Sequence, residues 1–110
     1  MKPQNDFRRR CGLLLVAALM ALPALAAQDT ARNLAATCTG CHGTDGYARP
    51  GMPALAGRPA EGLLQLLAEF RSGARPSTIM QQIAKGYSEE QLRLIAGYFA
   101  SRPAAPGAGS

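Results

Sequence analysis

The amino-acid sequence predicts an all-α fold with about four short helices. Three observations carry that reading. No run alternates apolar and polar residues for long, so no strand pattern stands out. Apolar residues recur instead at three- and four-residue spacing in separate stretches. And the one Cys38-Thr39-Gly40-Cys41-His42 run ends a helical stretch, with no βαβ pattern beside it.

Residues 1–26 read as a cleaved signal peptide. Lys2, Arg8, Arg9 and Arg10 form a positive beginning, Leu13 to Leu22 is an apolar run, and Ala24-Leu25-Ala26 offers a small-residue cleavage site. The run is short for a membrane span, which needs roughly 20 residues, so no stable membrane insertion is expected after cleavage. Cleavage after Ala26 is preferred to cleavage after Ala27, which would leave Leu25 at the third position before the cut. The expected compartment is the periplasm. Cys11 lies inside this segment and has no assigned role.

Removing the leader changes the charge argument. The full chain carries 12 basic and 7 acidic residues, net +5. Without residues 1–26, eight basic and six acidic residues remain, net +2. The basic balance therefore belongs largely to targeting. No Lys/Arg stripe remains to suggest nucleic-acid binding.

The first helix of the working domain (27–102) is expected over about Thr30 to Thr37, with Asp29 or Thr30 as N-cap. It delivers the chain to Cys38, so that the cysteine–histidine run occupies its last turn, and Gly43 stops it. Residues 43–59 are too densely punctuated by Gly and Pro for any element. A second helix spans about Ala60 to Ser72, with Leu63, Leu66, Leu67 and Phe70 as one apolar stripe and Gly73 as its stop. A short third helix follows Pro76, with Ile79, Met80 and Ile83 on a shared face and Gly86 at its end. The fourth starts at Ser88, where Gln91 three residues on completes a capping box. Glu89 and Glu90 suit its positive end, and Leu92, Ile95, Ala96 and Phe99 form its buried stripe. The tail from Pro103 to Ser110 has no charge and no face to bury, and is expected to be disordered.

The chemistry lies in Cys38–His42. C-x-x-C-H is the attachment pattern of c-type haem. Two thiols at this spacing can add across the two vinyl groups of one porphyrin, and the histidine that follows is held beneath the iron as an axial ligand. A zinc site would want two further Cys or His ligands. His42 is the only histidine, and the third cysteine is far upstream. One haem c would also supply the apolar mass that a mature chain of about 84 residues with no Trp otherwise lacks.

An iron with one histidine needs a sixth ligand for electron transfer with little rearrangement. The thioether candidates are Met52 and Met80. Met80 is preferred, because a full helix separates it from His42 and gives the chain length to cross the haem edge. Met52 and an open site are the alternatives. His42 should give its other ring N–H to a carbonyl in the Pro/Gly loop. Pro53 is the best acceptor, since its rigidity would hold that carbonyl in place. Arg49 and Arg58 are candidate partners for haem propionates.

Taken together, Cys38-Thr-Gly-Cys-His42, Pro53-Ala-Leu55-Ala-Gly57, Met80 and a Ser88-capped helix ending Gly97-Tyr98-Phe99 resemble a class I cytochrome c over the whole domain. The resemblance implies an all-α fold around one covalent haem c, with Cys38 and Cys41 as thioether positions, His42 and Met80 as axial ligands, and the Pro53 carbonyl bonded to His42. Phe70-Arg-Ser-Gly73, Ser77-Thr-Ile-Met80, Ile83-Ala-Lys-Gly-Tyr-Ser88 and Ala96-Gly-Tyr-Phe99 are further similar to the haem subunit of flavocytochrome c sulfide dehydrogenase. That similarity implies an FAD-containing flavoprotein partner that oxidises sulfide, with this chain as a one-electron exit and no catalytic site of its own. The rivals are a freely diffusing monohaem electron carrier and a haem-based ligand binder with a labile sixth site. A ligand binder doing peroxide chemistry would want a distal histidine or acid, which the chain does not offer.

Overall fold

The computed structural model describes residues 3–104, the side chains of Pro3 and of residues 18–22 excepted. Its elements are four α-helices and one 3₁₀ turn: α1 (Pro3–His42), the turn (Thr44–Gly46), α2 (Ala60–Ser72), α3 (Met80–Lys85) and α4 (Glu89–Ala100). Among the described residues the one β-type pairing is an isolated bridge between Arg49 and Met52.

α1 departs from the sequence expectation. It does not begin at Asp29 or Thr30 but runs unbroken for 40 residues, through the internal Pro23. Thr30 is not a cap. Its hydroxyl donates back to the Ala26 carbonyl at 2.9 Å, as a threonine does inside a helix. The physical reason lies in residues 24–28, where alanine, leucine and glutamine, all strong helix formers, give the helix no reason to stop. At the described start of the apolar run, Leu13 is 74% exposed, and Leu14, Leu15 and Val16 are little better covered. No helix of the described residues is long and apolar enough to cross a membrane.

α1 ends where the sequence places its end. Gly43 has φ +86°, and a Cβ there would lie 2.8 Å from the Ala48 carbonyl oxygen, so only glycine fits. The following loop is less irregular than expected, because the Thr44–Gly46 turn and the Arg49–Met52 bridge organise it.

α2 has the expected bounds. Its stripe divides, however: Leu63, Leu64 and Leu67 join the core, whereas Leu66 and Phe70 stay half-buried at its edge. In α3, Ala84 is the buried residue. Ile79 is 65% exposed and Ile83 36%, so the protein itself does not cover the expected apolar face. α4 forms as predicted. The Ser88 hydroxyl accepts from the Gln91 N–H, the Gln91 side chain accepts from the Ser88 N–H, and Leu92, Ile95, Ala96 and Phe99 are all buried.

The core is small. Ala35 of α1, Leu63 of α2 and the four buried residues of α4 form it, with Leu34, Cys38, Leu55, Tyr87 and Tyr98 packed around it. α4 is the hub, touching both α1 and α2, while α3 packs on α2. Pro103 and Ala104 are exposed, and the rest of the expected disordered tail, 105–110, lies outside the described residues.

Candidate functional site

Cys38, Thr39, Gly40, Cys41 and His42 form the last turn of α1, which brings both thiols and the imidazole to one end of one helix. All cysteines are free thiols; Cys38 is half-buried against the core and Cys41 is exposed. Burial pushes the Cys38 thiol up from its ordinary value, a hydrogen bond with Thr37 offsets part of this, and nearby Cys41 adds to it.

His42 is buried, the one buried polar or charged residue among the described residues. Its Nδ1 lies 2.8 Å from the Pro53 carbonyl oxygen. A carbonyl can only accept, so the ring proton sits on Nδ1 and Nε2 is the bare, basic nitrogen. This is the tautomer an iron ligand needs, with the outer partner in place that orients the ring.

The loop that carries Pro53 is tied back on itself. The Ala48 N–H bonds to the His42 carbonyl at 2.8 Å, and the N–H groups of Leu55 and Ala56 both reach the Gly46 carbonyl, at 2.8 and 3.1 Å. Met52 belongs to this loop, half-buried and paired with Arg49. Arg49 donates to the Gly40 carbonyl at 3.0 Å, capping the carbonyl end of α1, and Arg58 is exposed.

Met80 opens α3 and is half-buried. Its N–H bonds to the Ser77 hydroxyl at 3.0 Å, which ties the start of this short helix to the segment before it. The far end of α3 is tied to the cysteine turn: the hydroxyls of Tyr87 and Thr37 are hydrogen-bonded at 2.6 Å, one residue before Cys38. Cys38, Cys41, His42 and Pro53 thus form one cluster, and the segment carrying Met80 is anchored to that same turn.

The donor set suits a covalent haem. Two thiols with two residues between them and a histidine with its spare proton already bonded are what attachment and axial ligation require. The apolar groups that the polypeptide leaves uncovered, half-buried Leu66 and Phe70 on α2 with exposed Ile79 and Ile83 at α3, are of the kind a porphyrin face would pack against.

Two contacts near the site escape sequence reasoning. The Tyr98 hydroxyl donates to Asp45 Oδ1 at 2.8 Å, and the Arg102 guanidinium lies 4.7 Å over the Tyr98 ring. The bond to Asp45 pushes the Tyr98 phenol above its ordinary value, burial and the Asp45 charge add to this, and Arg102 and Arg32 oppose it. The one hint in the sequence was Asp45 itself, an aspartate in a glycine-rich turn, where positive φ is tolerated.

No family model matches the chain. It is 44% identical over 66 residues to the cytochrome subunit of sulfide dehydrogenase of Chlorobaculum tepidum, covering 60% of each chain. It is 42% identical over 79 residues to a thiosulfate dehydrogenase electron acceptor of Stutzerimonas stutzeri, covering 70% of this chain and 37% of that protein. It is 37% identical over 70 residues to cytochrome c-554(548) of Halomonas halodenitrificans, covering 60% of this chain and 84% of that one. Among solved structures, cytochrome c4 of Acidithiobacillus ferrooxidans matches with a TM-score of 0.57 and 39% identity, over 58% of this chain and 37% of that one. The chain thus spans 60% of the sulfide dehydrogenase subunit's length and little more than a third of the thiosulfate dehydrogenase acceptor's.

Proposed function

We infer a role from one premise: the chain belongs to the class I cytochromes c, transfers electrons and carries covalently bound haem c. The finer reading is that it is the periplasmic haem subunit of a sulfide-oxidising flavocytochrome, taking electrons one at a time from an FAD-containing partner. Its 44% identity to a cytochrome subunit of sulfide dehydrogenase carries this reading.

In this reading residues 1–26 are the export signal, and the exposed apolar arm of α1 is what cleavage removes. Haem c supplies a one-electron couple between ferric and ferrous iron. Cys38 and Cys41 would hold it by thioether bonds, and His42 Nε2 and the Met80 thioether would bind its iron, a neutral sulfur favouring the ferrous state. The Pro53 carbonyl keeps His42 turned toward the iron, and the buried α1–α4 contact keeps that end of the molecule rigid. Sulfide gives up two electrons on oxidation to sulfur, so the subunit must be reduced and re-oxidised twice for each sulfide consumed by its partner.

A second reading, a freely diffusing carrier, draws support from the similarity to a thiosulfate dehydrogenase electron acceptor and to cytochrome c-554(548). The experiment that separates the two is purification of the untagged protein from its native periplasm, with haem and flavin quantified. The flavocytochrome reading expects flavin to co-elute with haem at about one to one and the haem to be reduced on addition of sulfide. A flavin-free haem protein that sulfide leaves oxidised rejects it in favour of the diffusing carrier.

A further inference from the structure

We propose that Asp45 and Tyr98 are a positioning pair for the axial histidine: their hydrogen bond sets the place of the Pro53 carbonyl and, through it, how strongly His42 donates to the iron. This rests on the reading of His42 as an iron ligand.

Pro53 lies in a segment with few side chains of its own to anchor it. Both ends of that segment are fastened to α4, the front end to Tyr98 and Phe99 and the back end to Phe99. At the front, Asp45 Oδ1 accepts from the Tyr98 hydroxyl at 2.8 Å, and Gly46 is pressed so close to Phe99 that a Cβ would meet the ring at 2.7 Å. At the back, the Gly57 N–H donates to the Phe99 carbonyl at 3.0 Å. The Gly46 carbonyl between them holds the N–H groups of Leu55 and Ala56, two and three residues after Pro53. A shift of Asp45 therefore carries Gly46 with it, then Leu55, then the Pro53 carbonyl.

Among the described residues, Asp45–Tyr98 is the one side-chain hydrogen bond between this loop and α4. Asp45 sits at φ +53°, in the left-handed region that aspartate tolerates better than most non-glycine residues. The Tyr98 ring is held in turn, edge-on to Phe99 at 5.3 Å between centroids and beneath the Arg102 guanidinium. The bond thus joins two held groups and transmits position between them.

The consequence is chemical. A ligating histidine whose N–H is well bonded to a carbonyl is a more basic donor. Stronger donation stabilises ferric iron. Slackening the Pro53 carbonyl should weaken the donor, raise the midpoint potential and let the Nδ1 proton exchange faster.

The test uses the haem-loaded protein and three variants. Tyr98→Phe removes the donor but keeps the ring. Asp45→Gly removes the acceptor and tolerates the same backbone conformation. Asp45→Asn keeps an acceptor oxygen. Midpoint potential and His42 Nδ1–H exchange, followed by NMR, are the readouts. The expected result is an upward shift in potential, equal in Tyr98→Phe and Asp45→Gly and no larger in the double variant. Exchange should be about fivefold faster, the factor for one ordinary hydrogen bond. Asp45→Asn should behave as wild type. Ser88→Ala, which weakens α4 remotely, should move neither readout.

Unchanged potential and exchange in both single variants would overturn the proposal, as would shifts that simply add in the double variant. Should one single variant fail to accumulate with haem, the other decides. Failure of the ligand reading looks different: the wild-type protein itself would show no iron-shifted His42 ring signal, and proposal and reading would fall together.

Discussion

His42 is fastened by a single short bond, and Tyr98, 56 residues later in the chain, is fastened to the same loop by another. At this scale the phenol proton matters. Asp45 accepts it and the charges of Arg102 and Arg32 oppose the shift, but the bond to the carboxylate dominates and raises the Tyr98 value. A group whose value is raised on folding stabilises the protein fully below its unfolded value and loses that contribution as pH climbs through the folded one. The window lies on the alkaline side of the ordinary tyrosine value of 10.0. We therefore expect the haem-loaded protein to lose stability above that value through this bond, and Tyr98→Phe to flatten this part of the profile. Urea midpoints measured across the alkaline range check it; identical slopes in the two proteins would refute it.

At the scale of elements, α4 does most of the structural work. It contributes four of the six residues in the buried cluster, and its start depends on Ser88 and Gln91 satisfying each other's backbone N–H groups. Ser88→Ala breaks one half of that exchange and should cost about 1 kcal/mol. Chemical denaturation of the haem-loaded protein measures it, and a loss indistinguishable from zero would mean that packing alone defines the helix start. α4 and α2 were legible in the sequence because their signals are local: a capping box, apolar residues at helical spacing, a glycine stop. The start of α1 was not. Asp29 and Thr30 have the chemistry of caps, but the helix-forming residues before them carry the helix past both, and Thr30 bonds backwards instead. The division of the α2 stripe was also hidden, because spacing defines a face without saying which part of it a neighbour covers. The site divides in the same way. Cys38, Cys41 and His42 are visible as a unit because one turn holds them. Asp45 and Tyr98 are not, since 53 residues separate them and only the fold brings them together.

At the scale of the whole molecule, the two proposed iron ligands come from separate elements: His42 from the last turn of α1 and Met80 from the first residue of α3. α2 carries the chain between them, and α4 locks the arrangement by packing on both α1 and α2. The Thr37–Tyr87 bond closes the circuit by pinning the end of α3 to the cysteine turn. A core with Phe99 as its one large fully buried side chain is thin for a domain of this size. On this account the covalent haem is part of what holds α2 and α3 in place, their uncovered apolar residues included. The measurement that tests this most directly is the sulfur-to-iron charge-transfer band of the ferric protein, recorded for wild type, Met80→Ala and Met52→Ala. The account predicts the band in wild type and in Met52→Ala, and its loss in Met80→Ala with the haem still attached. A band that survives in Met80→Ala would contradict it.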